Sequence, residues 1–99
     1  MDKIKVWMLI SGEELIGEFF NNFADHIEVK SPAIILMQQT PSGIQMGMMP
    51  SMPYADGNIK IFKHAIAKEA TPSDKMINEY NRLYGSGIEI APASALASL

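Results

Sequence analysis

Lys63 and His64 are adjacent side chains of types that can take part in chemistry. An ammonium attracts phosphate oxygens, and an imidazole can both hydrogen-bond to a base and stack on it. Phe23, the one aromatic in the polar stretch Asn21–His26, can stack on an unpaired base. Lys30 and Lys60 are the cations that would extend a phosphate contact. Each residue also has a plainer reading. A lone histidine in an alternating segment is commonly a satisfied or surface side chain. Lys60, Lys63 and Lys68 fit the polar positions of an edge strand protected from aggregation. Phe23 fits a plug at the end of a small barrel at least as well as a stacking platform.

Catalysis has no comparable constellation. The chain has no cysteine, so disulfides and thiolate chemistry are excluded. Neither histidine, His26 nor His64, sits in a nucleophile or metal-ligand motif. Glu13 and Glu14 fall at a hairpin tip, where solvated charges are routine. The expectation is a non-enzyme with no cofactor and no metal.

Composition narrows the class further. With 99 residues the chain is one domain, and 47% hydrophobic residues imply a packed fold. A net charge of −3 argues against a broad basic surface tracking nucleic-acid phosphates, leaving only a few concentrated residues for such a role. No apolar run reaches the length of a membrane span. The start Met1-Asp2-Lys3-Ile4-Lys5 does not read as a secretory leader, and a cytoplasmic location is expected.

The elements that must position these residues follow from hydrophobic period. Ile4, Val6, Met8 and Ile10 alternate with Lys5, Trp7, Leu9 and Ser11, the pattern of a half-buried strand. Ser11-Gly12-Glu13-Glu14 supplies a turn with Gly12 free to take positive φ. Leu15–Phe20 returns around Gly17, a glycine that permits a sharp bend or a close approach by another strand. Ile27 to Gln39 reads as one long strand bent at Pro32. Thr40-Pro41-Ser42-Gly43 is a turn, Ile44–Met49 returns antiparallel, and Pro50–Gly57 is a loop. Asn58–Ala67 alternates cleanly and reads as a fifth strand. Thr71, Pro72 and Asp74 mark a helix start, with Met76, Ile77, Tyr80, Leu83 and Tyr84 on one face and Gly85 ending it. The stripe is expected to pack on an open end of the barrel. The methionines at 46, 48, 49 and 52 read as core filler.

The fold class is therefore mainly β: a five-stranded, strongly bent antiparallel barrel with a C-terminal helix (about 72–84). Residues 1–90 would form this unit, with a short extension at Ile88–Ile90 and a mobile tail over 91–99. Edge strands of such a barrel invite pairing with further copies, and a closed ring is the natural product.

The segment Leu9-Ile10-Ser11-Gly12-Glu13-Glu14-Leu15-Ile16-Gly17-Glu18-Phe19 resembles the first signature of Sm and Sm-like RNA-binding proteins. The segment Ile61-Phe62-Lys63-His64-Ala65-Ile66-Ala67, with Thr71-Pro72-Ser73 shortly after, resembles the Tyr-Lys-His-Ala-Ile-Ser signature of the Hfq family of bacterial Sm-like RNA chaperones. That resemblance implies an Sm-like fold, with Lys63 and His64 lining a central pore that contacts uridine-rich RNA. The chain departs from the pattern by the added Thr40–Asp56 segment. The family's Phe-Asp loop is only approximated by Phe23-Ala24-Asp25-His26. A eukaryotic-type alignment instead places Asp56-Gly57-Asn58 in the Arg-Gly-Asn slot, without its arginine. The two alignments put Lys63 and His64 at a turn or inside a strand, and both stay open. The order Ser11-Gly12-Glu13-Glu14-x-Ile16-Gly17, Val29-Lys30-x-Pro32, Met49-Pro50-x-Met52-Pro53-Tyr54 and Asn78-Glu79-Tyr80-Asn81 with Gly85-Ser86-Gly87 is similar to that of small proteins of marine cyanophages that are thought of as Sm-like.

Two functions are expected to compete. One is a homo-oligomeric ring, of roughly five to seven subunits, that binds single-stranded A/U-rich RNA during phage infection. The other is a protein-interaction or virion-assembly module with no nucleic-acid role, using the Met/Pro-rich Met46–Tyr54 surface. Neither involves a membrane.

Overall fold

The computed structural model describes residues 3–84. Gly85, Ile88–Ile90 and the tail over 91–99 lie outside the described residues. The chain runs β1 (Ile4–Leu9), β2 (Glu14–Asn22), β3 (His26–Thr40), β4 (Gly43–Pro50), β5 (Ile59–Phe62), a 3-10 turn (Lys63–Ala65), β6 (Ile66–Ala70) and α1 (Asp74–Tyr84). The strands form one six-stranded sheet with the order β4-β3-β2-β1-β6, and β5 pairs with the first half of β3. All pairings are antiparallel. The fold is mainly β with one C-terminal helix, and the sheet is not closed.

The local signals for turns act as their chemistry dictates. Gly12 and Gly43 take positive φ at the turns where the sequence places them, and Gly57 does so at the end of the loop before β5. Between Thr40 and Gly43, Thr40 Oγ1 donates to the Gly43 carbonyl at 2.8 Å and accepts from the Ser42 N–H at 3.2 Å. The long third strand is a single element, as the alternation on either side of Pro32 implies. Its bend sits at Ser31, the one described non-glycine residue with positive φ (50°).

That bend resets the side-chain parity. Ile27 and Val29 face one core, but beyond the bend Ile34 faces it, while Ala33 and Ile35 turn to the opposite side. The β2–β3 register shifts at the same level, between Ile16 and Glu18, as an extra residue on one strand requires. Gly17 lies opposite the bend, and a Cβ there would stand 2.5 Å from Val29 Cγ1 and 3.2 Å from Pro32 Cα. The mid-strand glycine therefore admits a close approach of β3.

Two cores result, one on each face of the sheet. The first gathers Trp7, Leu15, Ile27, Val29 and Ile61, with Leu9, Phe19, Ile34, Ile59 and Ile66 around them. It lies where β5 and β6 curl over β1, β2 and β3. The second gathers Ile4, Ile16, Ala33 and Tyr80, and α1 covers it with Met76, Ile77 and Tyr84. The helix thus lies on the sheet face behind the β3 bend. There the Tyr80 hydroxyl donates toward the Lys30 and Ser31 carbonyls at 3.0 and 2.9 Å, which the bend leaves facing the helix.

Besides the expected barrel, which this open sheet does not form, three sequence expectations change. Trp7, on the polar side of the β1 alternation, is a core residue, fully buried with its indole Nε1–H donating to Glu69 Oε1 at 3.0 Å, and half-buried Leu9 packs against the same core. Both faces of β1 are covered, so its period does not mark a wet side. The helix starts two residues later than Pro72. Ser73 is its cap, accepting the Met76 N–H on Oγ at 3.3 Å and the Ile77 N–H on its carbonyl at 2.9 Å, while Pro72 is buried. The expected fifth strand, Asn58–Ala67, is two strands split by the turn Lys63–Ala65. β5 pairs with β3 and β6 with β1, which lie on opposite sides of β2, and one straight strand cannot reach both.

Candidate functional site

The split places Lys63 and His64 on a turn and not inside a strand. Its neighbour is the tight connection Phe23-Ala24-Asp25 between β2 and β3. This connection is shorter than the polar loop expected, because Asn21 and Asn22 belong to β2 and His26 to β3. The Phe23 N–H donates to the His26 carbonyl at 2.9 Å, closing that hairpin. The Lys63 N–H donates to the Asp25 carbonyl at 2.9 Å, tying the two turns together. The His26–Phe62 pair is the last rung of the β3–β5 ladder just below both turns.

Four aromatic rings line this end of the molecule in sequence: Phe23, His26, Phe62 and His64. Phe23 stacks on His26 with centroids 4.6 Å apart and planes 17° apart. His26 meets Phe62 at 5.5 Å and 43°, and Phe62 meets His64 at 6.1 Å and 41°. Phe23 and Phe62 are 40% and 43% exposed, a large aromatic surface to leave in water. Phe23 does not plug the core. Its ring lies on His26, outside the buried clusters.

The imidazole of His26 is fixed by Asp25, whose carboxylate Oδ1 lies 2.7 Å from Nδ1. Hydrogen bonding to His26 holds the Asp25 carboxyl below the usual carboxylate range, with a smaller contribution from the Lys60 charge. Lys60 therefore sits within electrostatic reach of the row, opposite Glu28 on the β3–β5 ladder. Lys30 is placed differently. It lies at the β3 bend, opposite Glu18 and on the segment that Tyr80 holds, and it does not join the row.

Two open clefts flank the row. One, of about 410 Å³, has an apolar floor including Phe19 and Ile66 and a rim of Lys5, Asn22, Lys63 and Glu69. The other, of about 450 Å³, is bordered by Phe62, His64, Lys60 and the exposed Tyr54. Lys63 and His64 are both exposed and open onto different clefts. Chemically the arrangement offers ring faces for stacking and cations beside them for anionic groups.

Sequence reasoning named Phe23, Lys60, Lys63 and His64 but gave no role to His26 and Phe62, which connect Phe23 to His64. The spacings Phe23-x-x-His26 and Phe62-x-His64 were the available signal, legible only once both segments are known to end at one place. Among the described residues no three His, Cys, Asp or Glu side chains converge on a metal-sized site, and no helix is long and apolar enough to cross a membrane. The chain matches no family model, and no curated protein matches it.

Proposed function

We propose that the chain is an Sm-like protein that binds single-stranded, A/U-rich RNA along the Phe23–His26–Phe62–His64 row, with Lys63 and Lys60 meeting the phosphates. The observation that carries this reading is the Lys63–Asp25 backbone hydrogen bond. It brings a cationic turn and a row of four rings to one end of an otherwise acidic molecule. Stacking on exposed rings tolerates any base and contributes about 1–3 kcal/mol per base. A few cations suffice because the rings carry much of the affinity. A short turn passes the chain from β5 on β3 to β6 on β1, and the strong curvature this gives the sheet supports the reading. The sides of β5 and β6 that pair with no strand among the described residues are then the edges through which copies would join into a ring, setting several copies of Lys63 around one axis.

The test is binding of a fluorescent uridine-rich oligonucleotide at several salt concentrations, to the parent chain and to Lys63→Ala/His64→Ala. The expected result is micromolar or tighter affinity that weakens with salt, and a loss of at least tenfold in the double variant with its circular dichroism unchanged. Equal affinity in the two proteins would remove the site assignment. The exposed apolar hairpin favours a second reading, a protein-interaction or assembly module. The absence of any RNA affinity at low salt, with a protein partner captured, would establish it instead.

A further inference from the structure

Away from the aromatic row, the outer half of the β3–β4 hairpin has an unusual composition. Residues 31–55 contain no Asp, Glu, Lys, Arg or His, so every charge of the chain lies elsewhere. The register sets Ile35 opposite Met48, Met37 opposite Met46 and Gln39 opposite Ile44, so these side chains share one face of the hairpin. Helix α1 covers the inner end of this ladder, where Ile35 and Met48 pack against the cluster around Tyr80. Beyond it the ladder is open: Met37 is 62% and Ile44 72% exposed.

The strand that carries half of this ladder is also the end of the sheet. β4 pairs with β3 on one side and with no other strand among the described residues. Exposed edges are normally blunted by lysines, inward charges, bulges or prolines. Between Gly43 and Met49 there is no charge and no proline, and the β3–β4 register runs without a shift. Of the methionines read as core filler, Met48 packs against the Tyr80 cluster and Met46 is half-buried, whereas Met49 and Met52 are exposed.

We propose that this hairpin is a self-association surface, on which β4 of one chain pairs antiparallel with β4 of a second copy about a two-fold axis. A two-fold contact sets a patch against itself, so any net charge on it would repel. In a chain of net charge −3, this patch is neutral. The unpaired N–H and C=O groups of β4 need hydrogen-bond partners when covered; a second β4 supplies them, and lipid hydrocarbon supplies none. A strongly charged partner would find no complementary group. Pairing two copies would also merge their Ile/Met ladders into one apolar strip, whose unbranched methionines can adjust to one another.

The chain has no cysteine, so single cysteines can report the contact. A two-fold through the middle of β4 brings Met46 close to its own counterpart. Met46→Cys should cross-link to a covalent dimer under mild oxidation, whereas Ser11→Cys, in the β1–β2 turn, should not. Light scattering should give the parent twice the mass of Met46→Lys, with the self-dissociation constant raised at least tenfold. Ile44→Lys, at the exposed end of the ladder where folding cannot depend on the substitution, should act the same way. Where copies also join through β5 and β6, two-folds that cross the ring axis pair two rings and the ratio is again two; no RNA is present, so failure here is separate from failure of the RNA reading. Equal masses for the parent and both lysine variants would overturn the proposal. So would a monomer that floats with phosphatidylcholine vesicles, which assigns the face to lipid. So would self-association that appears only when the chain is cut after Tyr84, which assigns the face to residues 85–99.

Discussion

Replacing Gly17 by alanine tests how the sheet is bent. The added Cβ would lie 2.5 Å from Val29 Cγ1, about an ångström inside ordinary carbon–carbon contact. Val29 cannot easily yield, because it is fully buried among Trp7, Leu15, Ile27 and Ile61 and its branched side chain has restricted χ1 freedom. Nor can the Cβ move far the other way, since Pro32 Cα stands at 3.2 Å. Overpacking of this kind costs about 1–3 kcal/mol. Alanine recovers about 0.5–1 kcal/mol over glycine in an extended segment, so the net loss is about 0–2.5 kcal/mol, centred near 1 kcal/mol. With a urea m-value of about 1–1.5 kcal/mol/M for a domain of this size, the midpoint should fall by about 1 M at constant m. The cause is separable. In a Val29→Ala background the clashing methyl is gone, and the same Gly17→Ala change should cost about 1 kcal/mol less. An equal cost in both backgrounds would refute the view that Gly17 exists to admit β3.

Other perturbations test the helix and its docking. Tyr80→Phe removes the hydroxyl that serves the Lys30 and Ser31 carbonyls and should cost about 1–2 kcal/mol in the same urea assay. Burial first, and then the Glu18 charge, raise the Tyr80 phenol above its ordinary value. The native state therefore keeps this proton after the unfolded chain loses it. The resulting stability is fully present below about pH 10 and falls as pH rises beyond it. Tyr80→Phe should flatten most of that alkaline decline, leaving the part due to Tyr84, which burial also raises; an identical decline in the two proteins would contradict the assignment. Ser73→Ala removes the Oγ that caps α1 and should cost about 1 kcal/mol, read as a lower thermal midpoint, whereas Thr71→Ala should change little.

Much of the strand plan was legible because it depends on neighbours in sequence. The turns at Gly12 and Gly43, the long bent strand around Pro32 and the return of β4 all arise from local φ preferences and period-2 alternation. Trp7 was misplaced because alternation reveals which side chains differ, not whether a second layer covers the other face. The helix start was misplaced by two residues because Thr71 and Ser73 both suit a cap, and the burial of Pro72 decides between them. The candidate site was half legible: its residues stood out by type, but their assembly did not.

The sequence by itself determined that the chain builds a bent antiparallel sheet followed by one amphipathic helix, and that chemistry, if any, rests on a few cations and rings. Only the tertiary structure decided that Asn58–Ala67 breaks at Lys63. That break follows from β1 and β3 lying on opposite sides of β2, a relation among segments distant in sequence that alternation cannot encode. It also decided that Phe23 and His64 share one row through His26 and Phe62. Residues distant along the chain meet there because the β3–β5 ladder and the Lys63–Asp25 hydrogen bond end at the same point.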